Sequence, residues 1–596
     1  MDRKSIIILA VCFALFVLWS VYVPKLYPPK RLPPGATNVV AQPRPSPAPA
    51  TTITTTGAAP AVTMGPLTAP LPTLPAEAAK AGDLIELTND YARYTFTPNG
   101  GGLKLVELVH YRETVARSSR KSATNRVASL NSAAPVPVLA VLGEGLTGDG
   151  VFDLARTTGG VRATKTLTNG LVMVKEFAVT TNYLVAATVR LENRSDAPLS
   201  LPAQEYVVGT AAPMGPDDDG SAVGLMWYNG AKSEDITAGW FANRTLGCFP
   251  GTPRQVYVAG QSNVVWAAAH NQFFALVAMP QSPAQQVIAR QIELPRPVDA
   301  DPRYRSKPTP MGYVTTLIFP EATLAPGQTV EQQVFLFAGP KEYRTLAKVA
   351  SQFSNNVDAV MGFGGFFGFF SKGLLLAMNW IHDVFKVGYG WAIIAITITI
   401  KVLFWPLTQA STRSMKRMAA LQPQMKALQE KYKGDPAKMN KKLMEFMKEH
   451  KVSPLGGCLP MLLQMPVFIG FFYMIRSAIE LHGASFLWIA DLSRPDTLFE
   501  VGGFPFNLLP LLMGATMLWQ SHMTPPSPGM DPMQQKMMRY LPLIFLFMLY
   551  NFSAGLTLYW TVQNLLTIAQ MKLTKTQQAA APPSAPAGPA PSKKKK

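Results

Sequence analysis

Three kinds of hydrophobic patterning follow one another along the chain. Residues 5–23, SIIILAVCFALFVLWSVYV, are nineteen almost wholly apolar residues after Arg3 and Lys4. About twenty such residues cross a bilayer core as one helix. A signal peptide shares this outline, but its apolar region is shorter, and no A-x-A-like cleavage site follows directly. Residues 1–23 therefore read as an uncleaved anchor with its N-terminus in the cytoplasm. Residues 24–80 are rich in Pro, Ala and Thr, cannot bury a core, and read as an extended linker. From about Leu84 to Phe337 apolar and polar positions alternate in short runs, such as LVMVKEFAVTTNYLVAATVRLENRS and TVEQQVFLFAGP. Turn signals at Asn99-Gly100, Asn169-Gly170 and Pro326-Gly327 separate them. Period-two strands at this density predict an all-β sandwich over 81–355, closed by a short helix in KEYRTLAKVASQF.

Beyond the sandwich the period lengthens. In SKGLLLAMNWIHDVFKV, residues 371–387, Leu374, Met378, Ile381 and Phe385 share one helical face, and Lys372, Asn379, His382 and Asp383 lie away from it. This amphipathic helix reads as interfacial. An ordinary helix packed on the β-domain is the alternative. Apolar spans follow at about Tyr389–Leu407, Gly456–Ile479 and Phe506–Gln520. Residues 539–573 would make one helix of about 52 Å, too long for a core of roughly 30 Å. The stretch YNFSAGL interrupts them, and a split at Asn551–Gly555 yields two short spans of some 12–18 residues. Short spans predict a locally thinned bilayer. Between the first two of these spans, Met415, Met418, Leu421, Met425, Leu428 and Tyr432 recur at helical spacing, as do Met439, Leu443 and Phe446. With KGDPAK as the turn, 409–455 reads as an antiparallel helical hairpin. Its Met stripe suits a hairpin seam or an adaptable binding surface.

Charge orients these elements. Lys+Arg minus Asp+Glu is 55 − 36 = +19. The 409–455 loop carries eleven Lys/Arg against four acids, and the tail after Gln570 carries six Lys and no acid. Both abut apolar runs, which favours the positive-inside rule over nucleic-acid binding. The loop 481–504 is slightly acidic and belongs outside. With both termini inside, the span count is even, and six spans result, five of them in a core over 388–573 ahead of a basic tail at 574–596. The +7 loop also suits ribosomal RNA or acidic headgroups, although a solvated loop explains it equally well.

Other chemistry is sparse. The cysteines are Cys12, Cys248 and Cys458, and two fall in apolar spans, so a disulfide framework is excluded. The six histidines form no ligand spacing and no phosphate-binding glycine loop occurs, so neither metal nor cofactor is expected. One residue stands out. Lys401 lies within TITIKVLFWPLT, where a lone charge costs roughly 2.5–3.5 kcal/mol at a helix centre. Three accounts compete: snorkelling to the cytoplasmic face, pairing with an intramembrane acid, or facing a water-filled cavity. No acid lies inside the other spans; Glu480 sits at an outer end beside Arg476. Thr397, Thr399, Gln464, Gln563 and Asn564 place further polar groups within the spans, which favours a hydrated groove.

Six stretches then appear in order: NWIHDVF, TITIKVLFWPLT, LQPQMKALQEKY, VSPLGGCLPMLLQMPVFIGFFYMI, DPMQQKMMRYLPLIF and SAGLTLYWTVQNLLTIAQ. Over 371–573 they resemble the YidC/Oxa/Alb family of membrane protein insertases. The anchor and β-rich ectodomain resemble the Gram-negative form of that family, whose ectodomain is a β-supersandwich. The resemblance implies a polytopic α-helical inner-membrane protein with both termini cytoplasmic and the β-domain in the periplasm. It implies a positively charged groove open to cytoplasm and lipid and closed towards the periplasm. The groove's basic position, five residues before a proline, falls on Lys401, where bacterial members usually carry arginine. Substrate-contacting positions fall on Thr397 and on the aromatic pair Tyr559 and Trp560. The implied partners are nascent membrane proteins, the ribosome through hairpin and tail, the Sec translocon and the bilayer, with the chain working as a monomer. No bond is broken, so no enzyme is implied.

Two rivals come from other classes. A secondary transporter or channel would use Lys401 as a substrate counter-ion, yet the sequence shows no inverted repeat and no second charge deep in a span. A carbohydrate-active ectodomain would need a convergent acid pair or His cluster, and none is apparent; a passive folded ectodomain is the plainer reading.

Overall fold

A computed structural model describes Leu74 and residues 84–573, apart from 114–125, 181, 216–217, 245–250, 297–308, 364, 407, 410–416, 419, 433, 451–458, 502–503 and 524–531. The expected anchor, the linker other than Leu74, the basic tail and Met415 of the hairpin lie outside the described residues. The chain divides into two compact units, with the boundary after Gly362.

The first unit is built of antiparallel sheets. A nine-stranded sheet runs in the order Ser233–Thr237, Gly224–Tyr228, Trp266–His270, Phe274–Pro280, Thr329–Pro340, Leu184–Asn193, Leu171–Val179, Gly160–Thr166, Asp153–Thr157. A five-stranded sheet, Val256–Ala259, Gln286–Glu293, Met311–Phe319, Gln204–Ala211, Val141–Leu142, packs across Trp266–His270 and its neighbours. A third sheet contains Ile85–Thr88, Ala92–Thr97, Gly102–Arg112 and Val127–Leu130. The alternation in Leu184–Asn193 becomes alternating burial, because successive side chains leave opposite faces of a strand. The Asn99-Gly100 and Asn169-Gly170 signals are tight reversals, with φ of +77° and +81° at glycines that carry no Cβ to clash. Helix α1 (Ala238–Ala242) is a short connection, and α2 (Tyr343–Phe353) buries Leu346 and Val349.

This unit hides charges. Glu205 meets Arg290 and accepts from Thr316 Oγ1 at 2.7 Å, so the buried carboxylate is fully engaged. Lys175 is wholly buried; its Nζ donates to the carbonyls of Gly100 (2.7 Å) and Leu139 (2.9 Å) and lies 4.5 Å over the Phe152 ring.

The second unit is helical, with a small hairpin of Thr497–Val501 and Phe504–Asn507. Its helices are α3 (Gly368–Phe385), α4 (Tyr389–Leu403), α5 (Gln422–Lys431), α6 (Pro436–Glu449), α7 (Leu459–Ser477), α8 (Leu508–Met523), α9 (Pro532–Leu549) and α10 (Ala554–Leu573). Among the described residues no single helix is long and apolar enough to cross a membrane; α3 and α4 reach that length only as a pair, bent by 118°. Lys386 makes the corner at φ +53°, while His382 donates from Nδ1 to the Val387 carbonyl (2.7 Å) and stacks on Tyr389. α9 and α10 are separated at Tyr550–Ser553; α9 has 18 residues, the upper limit of the 12–18 expected, because it begins at Pro532, and α10 exceeds it with 20, because it runs unbroken from Ala554 to Leu573.

Two expectations for α3 are corrected. Asn379 is buried rather than turned away, since its amide donates to Glu480 Oε1 at 2.9 Å. Phe385 is exposed while Ser371, Leu374, Leu375 and Met378 are buried, because α3 packs on α7 and α4 through that side. In the basic loop, α5 and α6 close on a seam of Met418, Met425, Leu443 and Met447, so these methionines are hairpin core. Asp435 caps α6 by accepting from Lys438 N, with Pro436 in the first turn.

Burial and the nearby Lys165 charge push the Lys175 ammonium down to about 7 from the usual 10.5. Between those values the unfolded chain binds the extra proton, so stability rises with pH from about 7 towards 10. Urea midpoints of the β-unit at pH 7 and 9 are expected to differ more in the native chain than in Lys175→Met. Equal slopes would show that the buried ammonium carries no linkage.

Candidate functional site

The second unit converges on α10. Its residues from Ala554 to Tyr559 are all buried, and one side continues as Gln563, Thr567 and Gln570, spaced by four and three. That spacing lines up polar groups along a helix. α4 packs against this side. Its β-branched run, AITITIKVL, would be at home in a strand, but the surrounding apolar helices bury one face of it as Ala392, Ile393, Ile396 and Thr397.

Lys401 lies one turn beyond Thr397 on that face and is only 6% exposed. Its ammonium donates to Thr567 Oγ1 at 2.9 Å, and Thr567 donates in turn to the Gln563 carbonyl at 2.7 Å. Among the described residues no carboxylate forms an ion pair with it. Its compensation is a hydroxyl dipole relayed into the α10 backbone. Thr397 is wholly buried and returns its hydroxyl to the Ile393 carbonyl at 2.7 Å. One turn beyond Thr567, Gln570 Nε2 donates to Thr408 Oγ1 at 2.7 Å, adding a second polar rung between the same segments.

The other expected residues lie on different sides of α10. Tyr559 is buried, stacks on Phe471 of α7 with ring centroids 4.1 Å apart, and its hydroxyl pairs with the Gln464 side chain. Trp560 meets Phe468 of α7 and Phe545 of α9 at 4.6 and 5.9 Å. Asn564 donates to Thr516 of α8 at 3.2 Å, so it ties α10 to α8 rather than joining Lys401. Sequence reasoning does not find Thr567, Gln570 or Thr516. The first two are visible as an i, i+4, i+7 polar series from Gln563, but Thr516 carries no signal. Among the described residues, no group of three His, Cys, Asp or Glu is placed to hold a metal.

The end of the helical bundle where α10 begins is tied by hydrogen bonds to backbone groups. The first amides of α10 donate to the loop that follows α7: Ala554 N to Arg494 O (2.7 Å) and Gly555 N to Leu492 O (2.8 Å). Asn507 donates to Tyr550 O (2.8 Å), and Tyr550 donates to Pro505 O (2.8 Å). Gly390 leaves room for Phe486; a Cβ there would fall 2.2 Å from its ring. This end is filled by protein, while the polar rungs of Lys401 and Gln570 lie towards the opposite end of α10.

The chain carries a large antiparallel β-unit and an apolar helical bundle that buries a lysine, the build of a two-part protein. Known proteins say which kind. A YidC periplasmic domain matches residues 84–377, and the 60Kd inner membrane protein family matches 380–581. The membrane protein insertase YidC of Syntrophus aciditrophicus is 31% identical over 592 residues, covering 96% of this chain and 98% of that one. Its counterpart in Geobacter sp. strain M21 is 33% identical over 506 residues, covering 82% and 86%. An active YidC insertase crystal structure aligns over 83% of this chain and 94% of its own, at 18% identity and a TM-score of 0.33. The chain belongs to the YidC family of membrane protein insertases. Its setting is the inner membrane, and its first unit is the periplasmic domain.

Removing the acceptor of a buried ammonium leaves a charge without compensation. Thr567→Val is expected to lower stability in detergent by about 1–3 kcal/mol. In a Lys401→Met background the same change should cost little, because the two residues form one interaction. Equal thermal shifts in both backgrounds would show the pair to be uncoupled.

Proposed function

We propose that this protein inserts nascent inner-membrane proteins, and helps them fold, through a hydrated groove lined by α4, α7 and α10. The groove opens to the cytoplasm and to lipid. The observation that carries this reading is the Lys401 ammonium, held within apolar helices by a hydroxyl rather than a carboxylate. A carboxylate partner would cancel the charge, whereas a threonine leaves a positive field for an incoming segment. An ammonium has three donors, so contact with substrate does not require breaking the Thr567 bond. Lysine lacks the fork of arginine, and it acts here as a point charge that attracts acidic flanks without clamping them.

In this mechanism the short polar flank of a client enters first. Lys401, Thr397 and Gln464, with water, offset the desolvation of its backbone and charges. The hydrophobic segment then slides past Tyr559 and Trp560 into lipid, and apolar burial drives the step. Two of the helices are short: α4 and α8 have 15 and 16 residues, about 22 and 24 Å at 1.5 Å per residue. The chain crosses six times with both termini cytoplasmic, and short spans thin the bilayer beside the groove, which shortens the crossing. The basic hairpin and tail contact the ribosome, the Sec translocon supplies some clients, and the working form is a monomer. No covalent step is involved.

A photo-crosslinking amino acid at Thr397 and at Trp560, offered ribosomes stalled on a short membrane protein, is expected to capture the client at both positions. The yield should fall in Lys401→Ala and survive in Lys401→Arg. Unchanged yields in Lys401→Ala would reduce the lysine to a group that keeps the groove wet, and no capture at either position would remove this path.

A further inference from the structure

The hairpin Thr497–Asn507 presents an apolar face that water does not explain. Phe499 pairs with Phe506 and Val501 with Phe504 across the two strands. Residues directly opposite one another, and those two apart, share a face, so all four side chains lie on one side. Phe499 and Phe506 stack 4.7 Å apart with nearly parallel rings. Phe499, Val501 and Phe504 are nonetheless 50% to 66% exposed. A lone two-stranded hairpin is marginal in water, and this one is held by its base. Asp496 Oδ2 accepts from Leu509 N (2.6 Å) and Trp488 Nε1 (3.1 Å), and Asn507 bonds to Tyr550. The base of the hairpin is therefore tied to α8 and to Tyr550.

Its surroundings identify the occupant. Phe504 stacks on Tyr550 at 5.4 Å. Tyr550 directly follows α9, whose Ile544, Phe547 and Met548 are 57% to 76% exposed at a spacing of three and four. One apolar strip thus runs from α9 through Tyr550 and Phe504 to Val501 and Phe499. The hairpin also enters α8 without a linker, since Asn507 precedes Leu508. Leu487 and Trp488 add exposed apolar surface to the same loop, as expected of an aromatic belt at a membrane boundary.

We propose that the apolar face of the 497–507 hairpin is embedded in lipid of the outer leaflet, as a wedge continuous with the lipid-facing side of α9. This rests on the membrane-spanning reading of α8 and α9 given above. The wedge covers surface otherwise open to water and seats the outer end of the bundle at a fixed depth. Because α8 is short, that seat pulls the outer boundary inward beside the groove.

The test uses the full chain with Cys12, Cys248 and Cys458 replaced by Ser. Single cysteines at Val501, Phe499, Phe547 and Lys426 carry an NBD label in vesicles of phosphatidylethanolamine and phosphatidylglycerol. Quenchers are doxyl-labelled lipid and aqueous iodide. Labels at Val501→Cys and Phe499→Cys are expected to be quenched by doxyl lipid as Phe547→Cys is, and to resist iodide several-fold more than Lys426→Cys. If Phe547→Cys meets lipid while both hairpin labels meet iodide, the wedge is overturned and the membrane reading stands. Hairpin labels shielded from both quenchers, again with Phe547→Cys in lipid, would mean that protein covers the face, which also overturns it. A Phe547→Cys label that escapes lipid overturns both.

Discussion

The Lys401 ammonium lies among apolar helices, where a bare charge is costly, and α10 supplies what makes it tolerable: the Thr567 hydroxyl, itself bonded to the Gln563 carbonyl. Much else in the helical unit follows from this placement. α4 and α10 must approach closely along the Thr397–Lys401 and Gln563–Gln570 faces. The approach is regular because the polar residues on both helices repeat at three and four. A charge compensated by dipoles keeps its field, so the structure retains an electrostatic feature that a salt bridge would have erased.

The position of α10 is decided at its other end. Its first amides, which no helix can satisfy internally, find the Arg494 and Leu492 carbonyls of the loop. Gly555 permits that contact, with Leu492 O only 3.1 Å from where a Cβ would stand. The loop is stiffened in turn by Asp491, which accepts from Ser493 N and Oγ, and by Asp496 at the start of α8. Acidic residues that mark this loop as external by charge also do its internal bonding. The helix bearing the candidate groove is thus fastened at the end opposite Lys401.

The periplasmic unit handles buried charge by similar means. Lys175 rests on two carbonyls and a ring face, and Glu205 is engaged by Arg290 and Thr316. Such groups add little net stability but penalise any strand register that separates the partners. In a stack of antiparallel sheets with many similar apolar strands, that penalty helps select one pairing.

The β-unit, the helical hairpin, the break near Asn551 and the buried lysine were legible in the sequence, because each rests on local periodicity, turn chemistry or the cost of a charge in an apolar run. The six motifs from NWIHDVF to SAGLTLYWTVQNLLTIAQ carried the family. Which polar groups meet was not legible. Nothing local says that Lys401 finds Thr567, 166 residues away, or that Asn564 turns to Thr516 while its neighbour Gln563 faces the other way. Nor does periodicity show that Asn379, polar on an amphipathic helix, is buried against Glu480. A helical repeat specifies which residues share a face. What that face meets is decided only when α4, α7, α8 and α10 close around one another, because those contacts join segments far apart in the chain.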